Sequence, residues 1–328
     1  MTAFVLLTAM PPTTGHLELI QFADQLSEGR TRVMLNTQPH EPFSFERFQA
    51  LVEAVERCGV DVDVLHLHRA VEQDPSSPGF WPMWRGLMAD AGFVPGDLVV
   101  ASEPYGKRLA DECGGRFFPY DIERSINPVK ATPVRADPLR HFDQIVPEFQ
   151  RHLRTTVTVF GAESTGKTTL SRDLAASMGG RWSFEYARPY LEQTTNEITV
   201  DSMTAIWRGQ RALQRHLRDD LVGRPFHIQD TDLFSTVGYW QLPHWADELG
   251  ACPPAQVADA RALMSDLYLF TPSNIPFEPD PLRYGGTQRE GSDAYWMGVC
   301  DDFGLPYVVL EASSPDDRLA EARAAVDA

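Results

Sequence analysis

The chain has 328 residues, 43% hydrophobic and 23% charged, and is long enough for two domains of ordinary size. Its net charge of −17 argues against nucleic-acid binding, because neutralising phosphates requires a basic surface. The four cysteines form no paired motif, the N-terminal apolar run is too short for a signal peptide, and no stretch approaches the roughly 18 apolar residues of a membrane span, so we expect a soluble cytoplasmic protein.

In the first half of the chain, short apolar runs alternate with helical patterns. The predicted strands are Phe4–Thr8, Val33–Asn36, Val62–Leu67, Leu98–Ala101 and Arg116–Phe118. The predicted helices are Leu17–Ser27, Phe45–Cys58, Trp81–Ala91 and Lys107–Cys113. This alternation favours an α/β fold, in which helices flank a parallel sheet.

The second half repeats the same alternation. Its predicted strands are Thr156–Phe160, Trp182–Glu185, Phe226–Asp230, Leu267–Phe270 and Tyr307–Leu310. Between the halves, Asp137–Leu153 has a helical pattern, with Asp137 as a candidate N-cap before Pro138. We therefore predict a connecting helix and two α/β domains, residues 1–153 and 154–328.

A phosphate-binding loop is predicted between the strand that ends at Phe160 and the following helix, because Gly161–Thr168 fits the pattern G-x-x-x-x-G-K-[ST]. The glycines let backbone N–H groups turn toward phosphate oxygens, Lys167 adds a positive charge, and the Thr168 hydroxyl is a candidate Mg²⁺ ligand. The residues predicted to bind ATP here are Gly161, Glu163, Ser164, Thr165, Gly166, Lys167, Thr168 and Thr169.

Carboxylates near the ends of two other strands are further site candidates. Asp230 is the predicted second Mg²⁺ ligand, with Asp232 beside it, although a solvated Asp pair at a turn is the alternative. Glu185 and Arg188 follow another strand, where ligands bind in open α/β sheets, but a structural ion pair explains them equally. Asp230 or Glu185 is the candidate general base.

Arg283 and Arg289 flank two glycines near the C-terminus. Small kinases close an arginine-bearing lid over the transferring phosphate, where the guanidinium stabilises developing charge. The two arginines are therefore predicted to be catalytic, and a surface loop with solvated side chains is the alternative.

A second nucleotide site is predicted at Thr13-Thr-Gly15-His16, which fits the pattern [HT]-x-G-H between the first strand and first helix. A helix N-terminus attracts anions, Gly15 lets the backbone approach a triphosphate, and His16 can donate to the phosphate that reacts. A buried or capping histidine is the alternative. Further along, Val129–Arg135 resembles the I-S-x-T-x-x-R signature of nucleotidyltransferases, which makes Thr132 and Arg135 candidate ligands of the β- and γ-phosphates.

Taken together, these motifs resemble the bifunctional nicotinamide-mononucleotide adenylyltransferase/ribosylnicotinamide kinase family, which is NadR-like. The resemblance also includes the residues Asp121 and Arg124 and the stretches EYARPY and DTDLFSTVGYW. It implies a Rossmann-like nucleotidyltransferase domain followed by a P-loop kinase domain. Asp121, Arg124, Glu185, Arg188 and Asp232 are then expected to bind substrate.

The resemblance implies two consecutive reactions that both require Mg²⁺. The C-terminal domain would transfer the γ-phosphate of ATP to nicotinamide riboside, giving nicotinamide mononucleotide (NMN). The N-terminal domain would transfer AMP from a second ATP to NMN, giving NAD and pyrophosphate. If Asp230 binds Mg²⁺, Glu185 instead anchors ribose hydroxyls. By the same resemblance, Trp81 and Trp84 stack on nicotinamide, although a tryptophan pair at this spacing is also typical of a core.

Three positions depart from the family pattern at the adenylyltransferase site: Leu7 and Ala9 replace its Gly-x-Phe, and Lys130 replaces its Ser. One alternative is therefore an active kinase joined to a binding or regulatory domain. The other is a kinase and nucleotidyltransferase pair that acts on a different nucleoside.

Some family members begin with a helix-turn-helix repressor domain, whereas this chain starts directly at its first predicted strand. We expect no DNA-binding domain and no contact with nucleic acid or membrane. The expected partners are small molecules, and a homo-oligomer is compatible with the sequence.

Overall fold

Two parallel sheets, each of five strands, form the centres of the computed structural model. The model describes residues 1–128, 130–194, 197–219, 223–278 and 291–328. These residues divide into two compact units: Met1–Leu153, with which Gly223 groups, and the described residues from Arg154 onward. The predicted α/β architecture is confirmed in both units.

The strands of the first unit are β1 (Ala3–Leu7), β2 (Thr31–Thr37), β3 (Val62–His68), β4 (Leu98–Ala101) and β5 (Arg116–Pro119). They are arranged in the order β3-β2-β1-β4-β5, so β1 is central and the chain reverses direction across the sheet after β3. Ligands of open α/β sheets bind at the carboxyl edge beside such a reversal. The loop after β1 lies at this edge.

The helices of the first unit are α1 (Thr14–Leu26), α2 (Ser44–Cys58), α3 (Phe80–Asp90), α4 (Tyr105–Cys113), α5 (Ala131–Ala136) and α6 (Pro147–Gln150). On one face of the sheet, Val5 packs in a cluster with Ile20 and Leu51, and on the other Phe4 packs with Met88. Both faces are therefore covered, as a parallel sheet requires.

The predicted connecting helix Asp137–Leu153 is wrong. Asp137 instead caps a turn by accepting from the N–H of Arg140 over 3.1 Å, and only a short 3-10 turn and α6 follow. Pro147 explains the break, because proline lacks an N–H and disfavours helical backbone at the residue before it. Val146 accordingly has ψ 135°. The buried Phe142 and Phe149 have helical spacing, yet they pack from separate turns.

The strands of the second unit are β6 (Thr155–Phe160), β7 (Arg181–Ser183), β8 (Phe226–Asp230), β9 (Leu267–Phe270) and β10 (Tyr307–Val309). Their order is β10-β9-β6-β8-β7, which makes β6 central and β8 its neighbour. The residues that follow β6 and β8 therefore meet at one edge of the sheet. Because β7 ends at Ser183, two residues before the predicted end, Glu185 lies in the loop beyond it.

The helices of the second unit are α7 (Lys167–Ser177), α8 (Ala187–Gln193), α9 (Val200–Arg218), α10 (Leu233–Trp240), α11 (Ala246–Leu249), α12 (Pro254–Ala262), α13 (Ser292–Phe303) and α14 (Pro315–Val326). Val159 packs in a cluster with Leu174 on one face of the sheet, and Phe160 packs with Trp296 on the other. In the part of the chain that the structure describes, no helix combines the length and apolar character that a membrane crossing requires.

Candidate functional site

The phosphate loop joins β6 to the first turn of α7. Gly161 has φ 142°, and a Cβ there would lie 2.6 Å from the carbonyl oxygen of Thr271, so only glycine fits. Gly166, with φ 82°, precedes the helix, whose first turn leaves backbone N–H groups free to bind an anion. The local geometry is that of an anion-binding loop.

Two cationic side chains hold the loop in shape. Nζ of Lys167 donates to the carbonyl oxygen of Ala162 over 2.6 Å. The buried guanidinium of Arg318 donates to the carbonyl oxygens of Thr165 and Ala312, at 2.7 and 2.9 Å. Arg318 lies in the first turn of α14, so the loop is supported by a helix that is about 150 residues away in sequence.

A cavity of about 440 Å³ opens above the loop. Its polar end is lined by the predicted loop residues from Glu163 to Thr169, and by Glu185 and Arg188. Its apolar wall is formed by Leu191, Ile198, Met203, Ile206, Tyr239 and Trp245. A cavity of this size with a polar end and an apolar wall suits a nucleotide and a second small molecule.

Glu185, at this polar end, and the buried Asp230 beside Thr168 form a pair of carboxyl groups with raised pKa values. Burial, followed by the charge of Asp230 and opposed by that of Lys167, raises the pKa of Glu185 to about 7. Burial also raises the pKa of Asp230, which is 2% exposed, while the neighbouring Thr168 hydroxyl and the Lys167 charge oppose the shift. Glu185 lines the cavity and is poised to exchange a proton near neutral pH.

The Thr168 hydroxyl and the Asp230 carboxylate fit Mg²⁺. Both are oxygen donors, and Oδ1 of Asp230 is buried without a hydrogen-bond partner among the described residues. Those residues contain no group of three His, Cys, Asp or Glu side chains that could hold a metal. A two-ligand protein site is nevertheless usual for Mg²⁺, which takes its other ligands from phosphate and water.

Asp232 does not line the cavity. One oxygen of its carboxylate accepts from the N–H groups of Phe234 and Ser235, which caps α10, and the other accepts from the Tyr268 hydroxyl over 2.6 Å. The side chain is 1% exposed. The structure therefore favours a structural role over the predicted contact with substrate.

The predicted lid lies outside the described residues, since Arg283 and Arg289 fall between residues 278 and 291. Arg188 does line the cavity, and it also pairs with Glu192 one turn along α8, with 3.4 Å between the charged atoms. The ion pair is partly exposed, so it leaves the guanidinium accessible from the cavity.

The second predicted site is built on the N-terminus of α1. Thr13 is the N-cap, and its backbone N–H donates to Nδ1 of His16 over 3.0 Å. A nitrogen that accepts from an N–H carries no proton, so the ring proton lies on Nε2. Burial, followed by the charges of Arg124 and Arg135, lowers the pKa of His16 to about 4. His16 is therefore neutral at physiological pH and can donate from Nε2.

Positive charge surrounds this histidine. Arg135 lies in α5 three residues after Thr132, so both share one helix face, and its Nε donates to the carbonyl oxygen of Met10 over 2.9 Å. Arg124 pairs with Glu103 at 2.7 Å. The fold thus brings His16 within the electrostatic influence of Arg124 and Arg135.

Asp121 and Gly15 organise the loops around this site. The Asp121 carboxylate accepts from the N–H groups of Ser125, Ile126 and Asn127, at 2.6 to 3.2 Å. This arrangement favours a role in shaping the loop that carries Arg124 over a direct substrate contact. A Cβ at Gly15 would lie 3.2 Å from Nδ2 of Asn127, so a side chain at this position would crowd the same loop.

Both tryptophans of α3 are buried in an apolar cluster, at 7% exposure for Trp81 and 5% for Trp84. Nε1 of Trp81 donates to the carbonyl oxygen of Pro75 over 3.1 Å, and Arg108 stacks on its ring. The packing favours the core alternative for Trp81. Nε1 of Trp84 is buried and has no partner within the described residues, so this tryptophan keeps a donor for a ligand.

The three departures from the family pattern differ in their surroundings. Leu7 and Ala9 are buried, and Ala9 has φ 42°, a backbone conformation that favours glycine. Lys130 is exposed at the N-cap position of α5 and makes no side-chain cap, whereas serine is a favoured N-cap. The substitution therefore removes a helix cap and adds a positive charge to the nucleotide-facing loop.

Comparisons with known proteins point to one family. Residues 156–318 match a family model described as an AAA domain. The trifunctional NAD biosynthesis/regulator protein NadR of Salmonella typhimurium is 27% identical over 55% of this chain and 47% of its own length. The NadR protein of Escherichia coli is 24% identical over the same shares.

Two crystal structures share the fold of nearly the whole chain. A NadR protein in complex with NAD and AMP-PNP superposes with a TM-score of 0.71 at 23% identity, covering 99% of this chain and 95% of that one. A NadR protein in complex with NR superposes with a TM-score of 0.68 at 24% identity, covering 99% and 94%. The chain is therefore similar in sequence to NadR proteins and shares their fold.

These similarities confirm the resemblance to the NadR-like family that the motifs indicate. The chain nevertheless spans about half the length of the curated NadR relatives it matches. Arg318 and Gln210 are among the cavity residues that the sequence motifs did not identify. Neither belongs to a recognisable pattern, because an arginine in a C-terminal helix and a glutamine in an amphipathic one are ordinary there.

Proposed function

We propose that the chain is a two-step NAD salvage enzyme that uses ATP in both steps. Residues 154–328 act as a ribosylnicotinamide kinase and residues 1–153 as an NMN adenylyltransferase. The observation that carries the proposal is the cavity above the phosphate loop, in which Glu185 has a pKa of about 7 opposite an apolar wall. Sequence similarity to NadR proteins, and the NR and NAD bound in two NadR crystal structures, support the choice of substrates.

In the kinase reaction, the 5′-hydroxyl oxygen of nicotinamide riboside attacks the γ-phosphorus of ATP and ADP leaves. Glu185 accepts the hydroxyl proton, since it lines the cavity and titrates near neutral pH. Lys167 neutralises charge on the β- and γ-phosphates. Mg²⁺, held by Thr168 and Asp230, supplies further charge neutralisation when bound. Arg188 and the lid residues Arg283 and Arg289 complete the proposed catalytic set.

In the second reaction, a phosphate oxygen of NMN attacks the α-phosphorus of ATP and pyrophosphate leaves. His16 donates from Nε2 to the phosphate oxygens, and its lowered pKa keeps the ring neutral, so that Nδ1 accepts from the Thr13 N–H. Thr13 and Gly15 place this ring at the N-terminus of α1, where backbone N–H groups also attract anions. Thr132 and Arg135 hold the β- and γ-phosphates. Catalysis rests on positioning and charge stabilisation, with no covalent protein intermediate.

The decisive experiment follows NMN and NAD by chromatography after purified protein is incubated with nicotinamide riboside, ATP and Mg²⁺. Accumulation of NAD supports both steps. Lys167→Ala should then abolish NMN formation from riboside while leaving conversion of added NMN to NAD intact. His16→Ala should do the reverse, so each variant is the control for the other.

Two other results point to the alternatives. Formation of NMN but not NAD by the wild-type protein would contradict the proposed adenylyltransferase activity and favour a regulatory first domain. The departures from the family pattern at Leu7, Ala9 and Lys130 would then be explained by that role. Absence of both products would exclude nicotinamide riboside as the substrate. Phosphorylation of another nucleoside would then identify a kinase of different specificity.

A further inference from the structure

Gln210 is a buried polar residue in the wall of the kinase cavity. It lies in α9 on the same helix face as Met203 and Ile206, and all three line the cavity. Its side chain is 2% exposed, and Nε2 is buried without a hydrogen-bond partner among the described residues. An unpaired buried donor is costly, so a native structure that keeps one calls for an explanation.

The orientation of the Gln210 amide is fixed by its other end. Oε1 accepts from the backbone N–H of Tyr186 over 2.9 Å. Exchanging the oxygen and nitrogen would set two donors against each other, so Nε2 is the group that remains unpaired. Gly209 makes this contact possible, because the Tyr186 ring packs where a Cβ at Gly209 would lie, only 1.9 Å from Cε1.

This bond places Gln210 beside the proposed reaction centre. Tyr186 directly follows Glu185, the carboxylate that faces the cavity. Ile206 and Met203 precede Gln210 by four and seven residues, which is about 6 and 10 Å along the helix. The apolar wall, which suits a planar base, therefore begins about one ribose width from Gln210. With the base against this wall and the 5′-hydroxyl at Glu185, the ribose between them would lie next to Gln210.

We infer that Gln210 is a specificity-determining residue of the kinase, in which Nε2 donates to a ribose 2′- or 3′-hydroxyl oxygen of the phosphoryl-accepting nucleoside. The inference rests on the proposed kinase function of this unit, but it concerns the sugar and not the base. Binding a ribonucleoside satisfies the buried donor. A deoxyribonucleoside leaves it unpaired, and this difference selects between the two sugars.

The test measures the ratio of kcat/KM for ribonucleosides to kcat/KM for their 2′-deoxy and 3′-deoxy counterparts. Nicotinamide, cytosine and adenine nucleosides are used, so that the ratio is available for whichever base the wild type accepts. Gln210→Met removes both amide functions, and Gln210→Glu keeps the acceptor for Tyr186 but loses the donor. Gln214→Met is the matched control. Gln214 lies one turn further along α9, is buried and accepts a backbone N–H from Leu233, but it does not line the cavity.

Wild-type protein should prefer one ribonucleoside over its deoxy counterparts. Both Gln210 variants should reduce that preference about three- to tenfold, the effect of one hydrogen bond, while Gln214→Met leaves it unchanged. An equal loss of rate on ribo- and deoxyribonucleosides would assign Gln210 a structural role and overturn the inference. A changed preference between nicotinamide and nicotinic acid ribosides, with the sugar preference retained, would also overturn it by placing the contact on the base.

Failure of the proposed function has a different signature. If the wild type phosphorylates another ribonucleoside but not nicotinamide riboside, the substrate assignment is wrong, while the sugar ratio in the variants still tests Gln210. If the wild type phosphorylates none of the nucleosides, both proposals are overturned.

Discussion

Glu185 and Asp230 bring two carboxyl groups into one enclosed environment at the end of the phosphate loop. Burial, followed by the negative charge of Asp230, raises the pKa of Glu185 to about 7, and burial also raises that of Asp230. Two nearby carboxylates resist being ionised together, which separates their roles. Asp230 is almost fully enclosed beside Lys167 and Thr168, whereas Glu185 lines the cavity. We therefore propose that Asp230 binds the metal and that Glu185 accepts the proton.

Replacing Glu185 with Gln should lower the kcat of nucleoside phosphorylation at least about 100-fold, because the amide cannot accept the hydroxyl proton. The measurement is steady-state kinetics with ATP and the nucleoside each varied. Glu192→Gln is the matched control, since Glu192 is an exposed glutamate of α8 that does not line the cavity, and it should retain near wild-type kcat. Similar rates for Glu185→Gln and wild type would remove Glu185 as the base.

The same Glu185→Gln substitution should stabilise the protein above pH 7 in the absence of ligands. The folded-state pKa of Glu185 is raised, so its ionised form is disfavoured in the folded protein and stability falls as the pH rises from about 4.5 to 7. Glutamine removes this cost at pH 8, whereas at pH 5 the wild-type side chain is already mostly neutral when folded. Thermal unfolding at the two pH values checks this, and a lower melting temperature of the variant at pH 8 would contradict it.

Asp232→Ala should destabilise the second unit without changing the KM of a nucleoside. The substitution removes the N-cap of α10, which is worth about 1–2 kcal/mol, and leaves the Tyr268 hydroxyl without its acceptor. Denaturant unfolding measures the loss, and kinetics below the melting temperature measure the KM. Asp232→Asn, which preserves a capping side chain, should recover most of the stability. A raised KM in a variant of normal stability would instead support the substrate contact that the sequence predicted.

Much of this fold was predictable because its signals are local. Buried strands are short apolar runs, and the phosphate loop depends on glycines whose backbone angles no other residue adopts easily. The connecting helix failed because the apolar spacing of residues 142–149 suggested a helix that Pro147 interrupts. The helix-capping contacts of Asp232 were not predictable for a different reason. Its role depends on Tyr268, which is 36 residues away in sequence and reaches it only across the folded unit.

Sequence patterns could not predict the raised pKa of Glu185 or the position of Gln210, because both depend on contacts between residues that are distant in sequence. The Glu185 shift results from burial and from Asp230, which lies on a different strand. The proposed role of Gln210 depends on the packing of Tyr186 against Gly209, and no sequence motif connects these two residues. Motifs identified the groups that we propose to bind phosphate, whereas the fold was needed to identify Gln210, the residue that we propose to select the acceptor.

The two half-reactions should differ in their dependence on pH. Phosphorylation requires ionised Glu185, so kcat should fall as the pH drops below about 7, approaching tenfold per unit. The pKa of His16 is lowered to about 4 by burial and by the charges of Arg124 and Arg135, so the ring should stay neutral between pH 5.5 and 8 and its titration should leave the rate of adenylyl transfer unchanged over that range.

The pH comparison is made by assaying NMN formation from riboside and NAD formation from added NMN separately, in the same buffers and with saturating Mg²⁺. The control is the kinase activity of Arg135→Gln, which should keep the wild-type pH profile because Arg135 lies in the first unit. Titration of the His16 ring between pH 7 and 6, measured by NMR, would contradict the proposed neutral donor. The rate alone does not decide this, because the phosphate of NMN also titrates near a pH of about 6.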